Sequence, residues 1–173
     1  GITRANTALM FLPKVGDMTE AEKVAREGEL RFMRAYFYFD LVQHFGRIPL
    51  LSEGNVSQII TDFPRASVAD LYAFIISDLR YSFDALPDVA MQADRGRATK
   101  WAAANLLSKV YLTRGSAVKD QRGQKPTDMD STAYFAEAVI NSGKFALEPD
   151  YSLTIDQDRQ KVSSETIWGV EFT

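Results

Sequence analysis

The sequence predicts an all-α protein, a superhelix of antiparallel helix hairpins joined by irregular loops. Three observations predict it. Stretches of helical periodicity, opened by capping residues or closed by proline or glycine, dominate the chain, and strand-type alternation is nearly absent. Two of those stretches can be laid over each other at one fixed shift. The segment GELRFMRAYFYFDLVQHFGRIPLL, residues 28–51, also places Phe32, Tyr36, Phe37, Tyr38 and Phe39 on one helix, more aromatic surface than a single buried face needs.

The first helix runs from about Ile2 to Leu12 and is closed by Pro13, which cannot continue a helix. Thr19 opens the second, with Glu20 and Glu22 beside its positive N-terminus. The pattern then stays helical to Phe45. Gly28 is a mild interruption worth about 1 kcal/mol relative to alanine. Gly46 serves as the C-cap, and Pro49 lies in an extended exit, RIPLL. Residues 52–66 read as a polar loop. Ser67 caps a third helix, Asp70 charges its first turn, and Leu71, Phe74 or Ile75, Asp78 or Leu79, and Phe83 recur at helical spacing until Pro87. Thr99 caps a fourth helix that ends at Gly115. After a polar linker, Asp130 or Ser131 starts a fifth, ending near Asn141. The remainder lacks helical periodicity.

At a shift of 69 residues the second helix overlies the fourth: Phe32 meets Trp101, Ala35 meets Ala104, Leu41 meets Val110 and Gly46 meets Gly115. That shift is close to twice the roughly 34-residue tetratricopeptide period. An inner helix of such an array touches its hairpin partner and the next repeat, so it can be apolar nearly all round. The aromatic helix then reads as core, with Phe32, Phe37 and Leu41 all expected to be inaccessible.

Composition narrows the function. A formal net charge of −3 gives no basic field for nucleic acid. Zero cysteines exclude thiol catalysis, disulfides and thiolate metal sites. No apolar run approaches the roughly 20 residues of a membrane helix, and no signal peptide opens the chain. GITRANTALM reads as the interior of a helix and ETIWGVEFT as a strand-like run, so residues 1–173 are expected to be one helical-repeat unit cut from a longer protein.

The quoted aromatic stretch resembles a known family, the SusD-like (RagB-like) outer-membrane nutrient-binding lipoproteins. Five further segments are similar to that family in the same order: ITRANTALMFLPKV, FPRASVADLYAFIISDLRYSFDALPD, GRATKWAAANLLSKVYLTRG, YFAEAVINSGKFALEPDYSL and ETIWGVEF. Met33, Trp101 and Trp168 depart from the usual residues while keeping bulk or apolarity. The resemblance implies a tetratricopeptide-like scaffold displayed at the cell surface in polysaccharide utilisation and nutrient uptake. It implies capture of an oligosaccharide or other nutrient oligomer, without catalysis and without a cofactor. The partner it implies is a SusC-like TonB-dependent transporter, and the membrane contact is a lipid anchor outside these residues. Family ligand residues vary, so none is carried over.

Residue by residue, the chemistry is sparse. His44 is the single histidine, placed where a charge suits a helix C-terminus. No serine lies in a G-x-S-x-G elbow, and DRGRATK has neither phosphate-loop spacing. Asp120, Asp128 and Asp130 share a loop but lack the alternation of a calcium-binding loop, and Asp130 reads as a helix cap. The NVS at residues 55–57 reads as loop. Arg34 and Asp40 interrupt an apolar helix, where a charge is costly unless paired. They are six positions apart, so their partners are expected on other helices, with Asp78 a candidate for Arg34. Trp168 and Tyr151, outside regular helix, are the candidate sugar-stacking aromatics. A protein–protein adaptor without sugar binding is the competing reading. A glycosidase is disfavoured, since no carboxylate pair stands in a cleft-like apolar context.

Overall fold

The computed structural model describes residues 1–59, 61–89, 96–118, 121–152 and 163–169. Its helices are α1 (Ile2–Phe11), α2 (Glu20–Phe45), α3 (Val68–Ala85), α4 (Lys100–Gly115) and α5 (Asp128–Asn141), with short 3-10 turns at Leu12–Lys14 and Glu53–Asn55. Among the described residues there is no strand, only an antiparallel bridge between Pro49 and Arg65.

Local chemistry sets the helix ends. The Thr19 hydroxyl accepts from the Glu22 N–H at 3.2 Å while the Glu22 carboxylate accepts from the Thr19 N–H at 2.8 Å, a reciprocal cap. Ser67 accepts from the Asp70 N–H at 3.0 Å, and Thr99 more loosely from Ala102 at 3.4 Å. Gly46 takes φ +65° and still donates to the Val42 carbonyl at 3.0 Å, so the chain leaves α2 in a direction that L side chains rarely allow. The exit then folds back: Ala66 N–H donates to Ile48 O at 2.9 Å, and Arg47 donates to Arg65 O at 3.1 Å. Pro49, which has no N–H to donate, is tolerated on this edge.

Consecutive helices pack as neighbours, so α2 lies between α1 and α3, and α4 between α3 and α5. The deepest layer joins Phe32 and Ala35 of α2, Leu71, Ile75 and Leu79 of α3, and Ala103, Ala104, Leu107 and Val110 of α4. The run of alanines in α4 lets two neighbouring helices approach it at once. In α2 and α3 the close approach is at Gly28, whose carbonyl accepts from the buried Ser82 hydroxyl at 2.8 Å. This glycine is a crossing point rather than a mere interruption.

The structure corrects three expectations. The aromatic helix is not buried all round: Phe32, Ala35, Tyr38, Phe39 and Val42 are inside, but Phe37 and Leu41 are half-buried and Tyr36 is 37% exposed. Helix α1 packs on one part of that outer face, with Gly1 against the Phe37 ring. Gly115 does not repeat the role of Gly46. It is the last residue of α4, and a Cβ there would lie 2.8 Å from Cβ of Asp128 and 2.9 Å from Cε of Met129. Its bareness serves the approach of α5. Finally, α5 begins at Asp128, and Asp130 is an exposed first-turn residue rather than its cap.

Candidate functional site

Two clusters organise the side chains that sequence reasoning singled out. The first is polar and centred on Arg34, whose side chain is 1% exposed. Its Nε donates to Oδ2 of Asp78 at 2.7 Å and its Nη2 to Oδ1 at 2.9 Å, a two-pronged pair between α2 and α3. Nη1 donates to Oδ1 of Asn6 on α1 at 2.7 Å and also to the Glu53 carboxylate. The ring of Phe74 lies 4.7 Å from the guanidinium carbon. Arg31 adds a second donor to Asp78 at 3.3 Å.

Around this centre the loop after α2 is pinned at its base. Asn6 Nδ2 donates to Leu51 O at 3.0 Å, Tyr38 OH donates to the same carbonyl at 2.9 Å, and Leu51 N–H donates to the Tyr38 oxygen at 2.8 Å. Three helices and one loop therefore share one buried network. Arg34 is held in its charged form: burial opposes the charge, but the hydrogen bonds and charges of Asp78 and Glu53 outweigh it and raise its pKa. Burial also works against ionised Glu53. The Arg34 hydrogen bond, its own backbone N–H and the charges of Arg34 and Arg31 prevail, so its carboxyl titrates below the ordinary 4.5.

A pH dependence follows. A carboxylate with a depressed folded-state pKa contributes stability that is complete above its unfolded value and is lost as pH falls through the folded one. Wild type is therefore expected to exceed Glu53→Gln in thermal midpoint at about pH 6, with the gap closing toward about pH 3. A gap independent of pH would show that the Glu53 charge contributes nothing.

The second cluster is aromatic. Trp168 sits edge-on against Phe32, with centroids 5.1 Å apart, and against Tyr36 at 5.3 Å. Its indole N–H donates to Gly96 O at 3.0 Å. The ring is half-buried and joins residues 163–169 to α2 and to the segment entering α4. Nearby, Arg97 forms a two-pronged pair with Glu29. Tyr151 is placed differently: it is 79% exposed on a bend held by the Asp150 carboxylate, which accepts from Ser152 N–H at 2.9 Å.

Asp40 is a correction. Among the described residues it has no partner on another helix; it is 62% exposed and lies 3.6 Å from His44 on its own helix. The uncovered strip of α2 leaves its carboxylate in water, so no buried partner is needed. His44 Nδ1 also lies 2.8 Å from the Asp40 carbonyl.

Sequence reasoning missed a second buried pair. Arg114 Nε donates to Oδ2 of Asp128 at 3.0 Å and Nη2 to Oδ1 at 2.6 Å, and Lys125 N–H adds a bond of 2.9 Å. Burial raises the Asp128 pKa, but these bonds and charges bring it below the usual value. Asp128, weighed in the sequence as a calcium ligand, is committed to α4. Asp120 lies outside the described residues. Among the described residues no group of three His, Asp or Glu side chains is placed to hold a metal ion, and no helix is long and apolar enough to cross a membrane.

Comparison with known proteins places this geometry. Residues 1–112 match the family model SusD-like 3, described as "Starch-binding associating with outer membrane". A SusD-like protein of Bacteroides ovatus is 33% identical over 155 residues, covering 87% of this chain and 27% of that protein. The starch-binding protein SusD of Bacteroides thetaiotaomicron is 31% identical over 143 residues, covering 82% of this chain and 24% of that one. A crystal structure determined with a xylogluco-oligosaccharide superposes with a TM-score of 0.82 at 28% identity, over 99% of this chain and 33% of that one. The chain thus spans between about a quarter and a third of the proteins it matches.

Proposed function

The chain belongs to the SusD-like family, and from that premise we propose that it is the helical scaffold of a non-catalytic glycan-capture protein at the cell surface. In this reading the intact protein binds an oligosaccharide at the outer membrane, held there by a lipid anchor outside these residues. It hands the oligosaccharide to a SusC-like TonB-dependent transporter. The observation that supports the scaffold role is where the polar chemistry goes. The most buried charges, Arg34, Asp78, Arg114 and Asp128, are spent on one another across helix hairpins rather than aimed into an open concavity.

A sugar site needs a stacking face and several polar groups converging in one hollow. Here the two sequence candidates do not supply that: Trp168 packs by its edges on α2, and Tyr151 stands on an exposed bend. The isolated 173 residues are therefore expected to bind no glycan measurably, while the longer protein does. Calorimetry of both against one panel of oligosaccharides checks this. Comparable binding by the two would place the site within these residues, with Trp168→Ala and Tyr151→Ala as the first substitutions. Binding by neither, across plant and host glycans, would favour the protein-adaptor reading.

A further inference from the structure

A guanidinium Nη carries two hydrogens. From Nη1 of Arg34 one goes to Oδ1 of Asn6 and the other to the Glu53 carboxylate. Asn6 is fixed from a second side, since its own amide donates to Leu51 O at 3.0 Å. Glu53 comes instead from the short turn after α2, and its side chain is 38% exposed where that of Arg34 is 1% exposed. The buried guanidinium thus ends in a seat for one carboxylate, and that seat is reached from the solvent side.

Little else holds the residue that fills it. Among described residues 52–59, only Glu53 makes a hydrogen bond or ion pair to a helix. The other bonds of the turn are internal, such as Ser52 N–H to Asn55 Oδ1 at 2.9 Å and Gln58 Nε2 to Gly54 O at 3.0 Å. Val56 is the one aliphatic side chain of residues 52–58 and is half-buried, while Ser57 and Gln58 are exposed. On either side the chain is fastened separately: Leu51 exchanges two bonds with the Tyr38 hydroxyl, and Ala66 N–H donates to Ile48 O. Residues 52–58 can therefore swing out while the helices stay packed. Their departure leaves a charged N–H donor without a partner in a buried place, which is costly. Asp78 does not relieve it, being engaged by Nε and Nη2. Arg31, though paired with Glu27, adds positive charge at the seat.

We propose that the Glu53 seat on Arg34 is a binding site for a small carboxylate, plugged in the closed state by the chain's own Glu53. A carboxylate the size of formate presents the same two oxygens as the Glu53 head group and needs only the room that the head group vacates. The inference makes no use of glycan capture, and glycan binding by the longer protein succeeds or fails independently of it.

Glu53→Ala removes the plug and keeps Arg34, Asn6 and Asp78. In the 173-residue chain at about pH 6, replacing chloride by about 0.2 M formate at constant ionic strength is expected to raise the folding equilibrium constant of Glu53→Ala at least about threefold, saturably, and to leave that of wild type unchanged. An equal shift in the two proteins, or none in the variant, overturns the proposal. Hydrogen exchange tests the plug in wild type itself. The amides of Asn55, Val56 and Gln58 bond only within the turn, and formate is expected to speed their exchange about threefold with the α3 amides unmoved, because it binds the open loop. Exchange that formate leaves unchanged, or speeds equally in α3, overturns the reading of Glu53 as a removable plug.

Discussion

Arg34→Ala is expected to cost about 3–5 kcal/mol of folding stability, measured by urea unfolding of this chain, because the removed guanidinium leaves a buried carboxylate without its main partner. The side chain of Asp78 is 2% exposed, and the Arg31 donor at 3.3 Å is a poor substitute for two bonds of 2.7 and 2.9 Å. The loss reaches further than one pair. Asn6 Oδ1 loses its donor, and Glu53 loses the hydrogen bond that does most to lower its pKa. The sign of the network as a whole is a separate question, since well-packed apolar residues often replace a buried ion pair without loss. Arg34→Met combined with Asp78→Leu is accordingly expected to recover much of the deficit. A single-variant cost under about 1 kcal/mol would mean water reaches Asp78 and the network is not sealed.

Some of that network was legible in the sequence and some was not. Arg34 and Asp78 each interrupt an apolar helical run, and a charge in such a place has to find a partner, so the pairing across α2 and α3 could be read from cost alone. The same reasoning failed for Asp40, because periodicity does not reveal which turns of a helix a neighbour covers, and Asp40 is 62% exposed. Asp128 was hidden for another reason. The sequence reading placed it in the loop before the helix, beside Asp130, and weighed it there as a calcium ligand, while its partner Arg114 has an ordinary explanation in the last turn of α4. Neither reading pointed to one buried pair. Caps were the most legible feature, since Thr19, Ser67 and Thr99 act within three residues of themselves. Glu53, Asn6 and Leu51 meet only after the chain has folded, and no local pattern announces them.

Phe32→Ala is expected to cost about 3–5 kcal/mol, and Phe37→Ala well under half of that. The two residues share a helix and a side-chain type, so the comparison isolates their surroundings. Phe32 is 1% exposed and faces α3, α4 and the edge of Trp168, whereas Phe37 is half-buried against Gly1 and the ring of Tyr36. Equal costs would restore the reading of α2 as buried all round. The contact with Trp168 can be separated by a double-mutant cycle with Trp168→Ala, where a coupling of about 0.5–1.5 kcal/mol is expected for an edge-to-face pair. That cycle also decides what Trp168 is for. Coupling to Phe32, with glycan binding by the longer protein unchanged in Trp168→Ala, makes the indole a clamp that fastens residues 163–169 onto α2. No coupling, together with weakened glycan binding at unchanged stability, would make it a stacking surface for the ligand, and the site would then begin on this scaffold rather than beyond it.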